Sequence, residues 1–225
     1  GTLVLQNRKN AFQVRFAKTS QAAKLVAIKK GSYGLSWSLV GGAAVKVQEE
    51  RPAQEAPQAL PTLPNLQSTV RYPEILPGMD LVYTVRSEEI KENLVVKQRQ
   101  AVPAISFDFT LKNLVPQLQA DQTILLRDAR TQEPVMVMPA PFMVDAAGEV
   151  SYGVTVTLTA QTGAGAYRLS LTPDAAWLAE ESRVYPVLVD PVVKTTVDEM
   201  KIFDAPVSSA APNTNYKTLG LLKAG

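Results

Sequence analysis

Apolar residues at every second position, over short runs repeated along the chain, constrain this sequence more than any other feature. Phe12, Val14 and Phe16 alternate with Gln13 and Arg15. Tyr33, Leu35, Trp37 and Leu39 alternate with Gly34, Ser36 and Ser38. Ile105, Phe107, Phe109 and Leu111 alternate with Ser106, Asp108 and Thr110, and Val154, Val156 and Leu158 with Thr155, Thr157 and Thr159. In an extended chain this period sends one set of side chains into a core and the other into water. Shorter runs at Val70-Tyr72, Leu81-Val85, Leu94-Lys97, Ile124-Arg127, Val135-Met138, Tyr167-Leu171 and Val184-Asp190 extend the series. Turn signals separate them, such as Leu76-Pro77-Gly78, Ala147-Gly148 and Gly163-Ala164-Gly165. The spacing predicts an all-β chain: an antiparallel β-sandwich type domain, with room for two sub-lobes and very little helix. One or two helical turns are expected at Pro173–Leu178, capped by an aspartate or Thr172, with Pro173 in the first helical position.

Proline density sets the expected boundaries. Pro52, Pro57, Pro61 and Pro64 mark residues 49–67 as a linker or surface crossing. It divides an N-terminal β segment, 1–48, from a main β domain, 68–195. Residues 196–225 read as the start of a following, truncated β module. Sequence alone leaves open whether residues 1–50 and 66–190 share a core. Arg183–Pro191 is expected to be the last strand of the main domain, with Ile105–Leu111 as its candidate partner; Pro186 is expected at an edge or bulge. Pro139 and Pro141 suggest an edge strand entering a bend.

Composition excludes several chemistries. With no Cys and no His among 225 residues, thiolate or imidazole nucleophiles, bases and metal ligands are impossible within the chain. The 23 basic and 21 acidic residues, read as spread along the chain, leave a net charge of +2, and that balance predicts no attraction to nucleic acid or an anionic membrane. No apolar run is long enough to predict a membrane-spanning helix. No catalytic residue, metal ligand or cofactor is assigned. Asp80, Asp108, Asp121, Asp128, Asp145, Asp174 and Asp190 invite a calcium reading, but lack an Asp-x-Asp-x-Asp cluster and suit turns and caps. Glu88, Glu89 and Glu92 read as a solvated hairpin rather than paired catalytic acids. Trp37 lies on the apolar face of its strand. Trp177 packs beside Leu178 or offers a ring on which a sugar could stack, and is the one candidate ligand-binding residue. Lys91 and Glu92 point to opposite faces of a strand; whichever points inward needs a partner, with Asp80, Asp145 or Arg183 as candidates.

Five phrases in order carry a resemblance. They are Arg71-Tyr72-Pro73-Glu74-Ile75-Leu76-Pro77-Gly78-Met79-Asp80-Leu81-Val82-Tyr83, Ile90-Lys91-Glu92-Asn93-Leu94-Val95-Val96, Pro139-Ala140-Pro141-Phe142-Met143-Val144-Asp145, Pro173-Asp174-Ala175-Ala176-Trp177-Leu178, and Arg183-Val184-Tyr185-Pro186-Val187-Leu188-Val189-Asp190-Pro191. Over residues 70–195 this order resembles the N-terminal region of Gram-positive wall-associated proteins with RHS/YD repeats, polymorphic toxins among them. The tail from Ile202 resembles the opening of a DNRLRE-type β domain. The resemblance implies an extracellular, wall-associated, non-catalytic module for display or wall attachment. Its implied partners are other domains of the same polypeptide; a wall or plant polysaccharide is the alternative ligand.

Overall fold

The computed structural model describes residues 3–6, 12–50, 68–86, 88–195 and 197. The chain opens with β1 (Leu3–Gln6), β2 (Gln13–Ala17), β3 (Val26–Lys30) and β4 (Tyr33–Leu39). It continues with β5 (Gln48–Glu50), β6 (Ser68–Leu76), β7 (Met79–Val85) and β8 (Glu89–Val96). Then come β9 (Ile105–Lys112), β10 (Leu114–Leu118), β11 (Ile124–Asp128), β12 (Pro134–Met138), β13 (Phe142–Val144) and β14 (Val150–Ser151). β15 (Val154–Ala160) and β16 (Ala166–Pro173) lead into the helix α1 (Ala175–Ala179), and β17 (Val187–Asp190) and β18 (Val192–Lys194) end the series.

These strands form two antiparallel sheets, as the alternation predicts. The first runs β1-β2-β3-β4-β9-β16-β15. The second is built on β8. One edge of β8 pairs with β7 along its whole length, through Met79↔Val96 to Val85↔Ile90, and β7 leads outward to β6 and β5. The other edge pairs with β17 through Val189↔Leu94 and with β18 through Val192↔Lys91. Pro191 separates β17 from β18 because it has no N–H for the ladder. Its carbonyl still accepts the Glu92 N–H at 3.1 Å, so one register continues across the break. β13 and β12 lie on the far side of β17 and β18.

Three expectations are corrected here. The strand beginning at Val187 pairs with β8 and β13, not with Ile105–Leu111, and β18 follows it. Both edges of β9 are already taken by β4 and β16. Pro139 and Pro141 mark no edge strand; they occupy the gap between two interior strands, β12 and β13, where no ladder donor is lost. The helix starts two residues later than expected. Pro173 is the last residue of β16, and Asp174 is the cap, accepting from Ala176 N at 2.8 Å and Trp177 N at 3.3 Å.

The structure answers whether the segments on either side of the prolines share a core. One hydrophobic cluster runs from Phe12 to Val193, and β4 pairs directly with β9. Inward residues of the two sheets meet at Trp37. Its ring stacks on Phe109 with centroids 5.3 Å apart and reaches Tyr83 of the opposite sheet at 6.2 Å. Tyr72 joins the layers from the other side, donating its hydroxyl to Ala17 O at 2.6 Å. At the expected linker, Gln48–Glu50 is paired with β6, so the ladder includes its first residues. Residues 51–67 and 198–225, on which the linker and following-module readings fall, lie outside the described residues.

Because β17 and β18 bind β8 to β12 and β13, a chain ending at Ser182 loses the centre of the second sheet. It is expected to be insoluble, or to lack a cooperative melt, whereas a chain ending at Val197 is expected to melt cooperatively. A Ser182 truncation of parental stability, measured by thermal denaturation, would contradict this.

Candidate functional site

Charged side chains enter a β core only with partners, because desolvation costs several kcal/mol per ion. Buried polar residues meet this condition in four separate places, three of them within the five phrases.

In the first, Asp80 has a side chain only 3% exposed, at the start of β7. It receives Arg71 Nη1 at 2.7 Å, Lys97 Nζ at 2.7 Å and the Glu74 N–H at 2.7 Å. Burial pushes its carboxyl up, but these donors outweigh burial and hold it below the usual range. The Glu74 carboxylate takes Lys97 Nζ at 2.5 Å and Gly78 N at 2.8 Å. Gly78, at φ +69°, supplies the positive φ that the Pro77-Gly78 turn requires.

The second place centres on an uncharged carboxyl. Glu92 points between the sheets, where its partners are the Tyr83 hydroxyl and the Trp37 indole, not Asp80, Asp145 or Arg183. Trp37 Nε1 also donates to the Tyr83 oxygen at 3.0 Å. Burial pushes the Glu92 carboxyl up to about 8, with Asp190 adding to the rise, so it is protonated at neutral pH. Lys91, on the opposite face, pairs with Asp190 at 2.6 Å. Burial raises Asp190 despite this partner, and its Oδ1, like Asn93 Oδ1, meets no hydrogen-bond partner among the described residues.

The third place holds α1. Arg183, with a side chain 4% exposed, meets Asp145 Oδ2 at 3.0 Å and Glu180 Oε2 at 2.5 Å, and its Nε donates to Trp177 O at 3.2 Å. Its guanidinium lies 3.4 Å from the centre of the Trp177 ring. Asp145 also accepts from Ala147, Glu149 and Val184 N–H groups; burial raises its carboxyl, but these bonds and Arg183 bring it below the usual range. Tyr185 donates to Leu178 O at 2.7 Å, and Arg99 to Ala179 O and Glu181 O. Three of the carbonyls that a short helix leaves open, those of Trp177, Leu178 and Ala179, are thereby occupied. Trp177, the candidate ligand-binding residue, is half-buried against the core, one ring face covered by Arg183.

The fourth place lies just after β18. Thr195 is buried; its N–H and Oγ1 both donate to Glu88 O, at 2.8 and 2.7 Å, and Lys30 donates to its carbonyl.

The remaining acids have similar roles. Asp121 accepts from Thr123 N, and Asp128 accepts from Arg130 N, Thr131 N and the Tyr33 hydroxyl, which bring its carboxyl to about 2. Asp108 is bidentate to Arg168. Glu89 pairs with the nearby Arg86 at 2.7 Å. No group of three or more metal-ligating side chains occurs among the described residues. Gly165, at φ +70°, has backbone packed so closely that an added Cβ would lie 2.2 Å from Leu111 O; this glycine serves a strand connection, not a phosphate. Two small cavities of about 10 Å³ each, room for about one water, lie between the sheets. One is bordered by Phe109, Leu126 and Met138, the other by Trp37, Glu92 and Pro191.

No protein-family model matches the chain, and no solved structure matches it. Among curated proteins it is 36% identical over 151 residues to the tRNA nuclease WapA of Bacillus subtilis (strain 168). It is 34% identical over 150 residues to the tRNA3(Ser)-specific nuclease WapA of Bacillus spizizenii. Both alignments cover 64% of this chain and 6% of the relative, so the chain spans about 6% of the length of the proteins it matches. It is thus similar to one small region of WapA, a large wall-associated protein.

Proposed function

We propose that this chain is a non-catalytic structural or adhesive module of an exported bacterial surface protein of the RHS-repeat type, serving display or attachment at the wall. The observation that carries this reading is where the charged residues of the five phrases fall. Asp80, Glu92, Asp145, Arg183 and Asp190 are all buried, and each is bonded to the fold. Likeness to a region of WapA, a large wall-associated protein, supports this reading. A second reading, a carbohydrate-binding module, draws on Trp177: the guanidinium fixes its ring from one side while the residue remains partly exposed.

Co-sedimentation with purified Gram-positive walls tests the proposal, with a panel of soluble glycans beside it. The expected result is retention on walls, undiminished in a Trp177→Ala chain that still melts cooperatively. Saturable binding to one glycan, lost in that variant, would favour the second reading. Absence of wall retention at low salt would count against the first.

A further inference from the structure

Charge is distributed unevenly. Residues 1–48 carry eight basic side chains and no Asp or Glu, leaving 15 of the 23 basic residues to face all 21 acidic ones over residues 49–225. Charge asymmetry between segments points to an anionic partner even where the total is near neutral. In the structure Arg15 and Lys29 lie on the outer face of the first sheet. Arg15, Lys18, Lys24, Lys29 and Lys46 are exposed, and none forms an ion pair among the described residues.

The strand register shows how they are arranged. Gln13↔Lys29, Lys29↔Gly34 and Gly34↔Lys112 form one row across β2, β3, β4 and β9. Arg15↔Ala27, Ala27↔Ser36 and Ser36↔Thr110 form the next. Directly opposed residues share a face, so Arg15, Lys29 and Lys112 border a low strip floored by Ala27, Gly34 and Ser36. Rows lie about 7 Å apart and strands about 5 Å apart, spacings at which a flexible chain of phosphates can meet successive cations. The acid on this outer face, Asp108, is already held by Arg168. Lys18 and Lys46 continue the basic surface past the end of β2, where Thr19 bridges to Lys46.

We infer that this face of β2, β3, β4 and β9 is an electrostatic docking surface for an anionic polyol-phosphate polymer of the wall. This rests on the wall-attachment reading and names its partner. The surface suits a polymer recognised by charge alone. Phe12, Phe16 and Trp37 are buried, and Tyr33 is half-buried with its hydroxyl on Asp128, so the flank offers no exposed ring for base stacking. Among the exposed large apolar side chains, Val40 alone follows a strand of this face, and it sits at the end away from Lys29, which gives a bilayer no anchor.

The test uses the full chain, polyglycerol phosphate, and walls with and without their polyol phosphate. Binding to polyglycerol phosphate is expected to weaken steeply with added salt. It should fall at least tenfold in Arg15→Glu/Lys29→Glu/Lys112→Glu with an unchanged melting temperature. Glu149→Lys, in the turn after β13, raises net charge without touching the flank and is expected to leave binding unchanged. Equal retention on stripped and intact walls would overturn the inference while leaving wall attachment standing. Retention on neither would remove both. Single-stranded DNA or anionic vesicles bound as tightly, through the same three residues, would overturn the assignment to a wall polymer.

Discussion

Replacing Arg183 with leucine is expected to destabilise the fold by about 3–5 kcal/mol, the range for removing one partner of a buried ion pair. The guanidinium serves Asp145, Glu180, the Trp177 carbonyl and the Trp177 ring together. Without it, the Asp145 carboxylate stays buried with only backbone donors, and the end of α1 loses the side chain that ties it to the second sheet. Urea denaturation of the single variant measures the effect. A loss under about 1 kcal/mol, the worth of an exposed pair, would show that the pair is solvated.

The second large effect is a pH dependence with an unusual direction. Glu92 titrates near 8 in the folded chain, against an ordinary value of 4.5. Between those values the folded state keeps a proton that the unfolded state has released. This group's contribution to stability is therefore fully present below 4.5 and lost as pH rises through 8. The loss is on the order of 5 kcal/mol at most. Asp190, also raised by burial, acts in the same direction. Asp80 and Asp145 are held low and act oppositely, withdrawing stability as pH falls below the usual carboxylate range. Glu92→Gln keeps an amide for Tyr83 and Trp37 but cannot ionise. It is expected to exceed the parent in stability by several kcal/mol at about pH 9 and to match it within about 1 kcal/mol near pH 4.5. Parallel stability–pH profiles for the two chains would show that Glu92 is solvated.

Strand alternation was enough to read the fold class, because the pleat enforces a period of two and inward side chains must be apolar. Pairing was not legible. β8 and β9 have the same alternating pattern, and one sequence cannot rank them as neighbours of Val187–Asp190. The opposite-face reading of Lys91 and Glu92 gave the right geometry but the wrong partners. It sought a countercharge for Glu92, whereas a protonated carboxyl is satisfied by a phenol and an indole from two other strands. The basic flank is hidden in the composition for a simpler reason: a total of +2 conceals a segment of 48 residues with no acid in it. Counting charge by segment would have shown it, though only the register places Arg15, Lys29 and Lys112 on one face.

Buried residues hold the fold, and the exposed basic face is the one proposed to meet the wall. Wall co-sedimentation of the Arg183→Leu chain, held cold enough for circular dichroism to show native β structure, tests that separation most directly. Retention equal to the parent is expected despite the lowered melting point. A folded Arg183→Leu chain that no longer sediments with walls would contradict it, by placing attachment at the Trp177–Arg183 cluster.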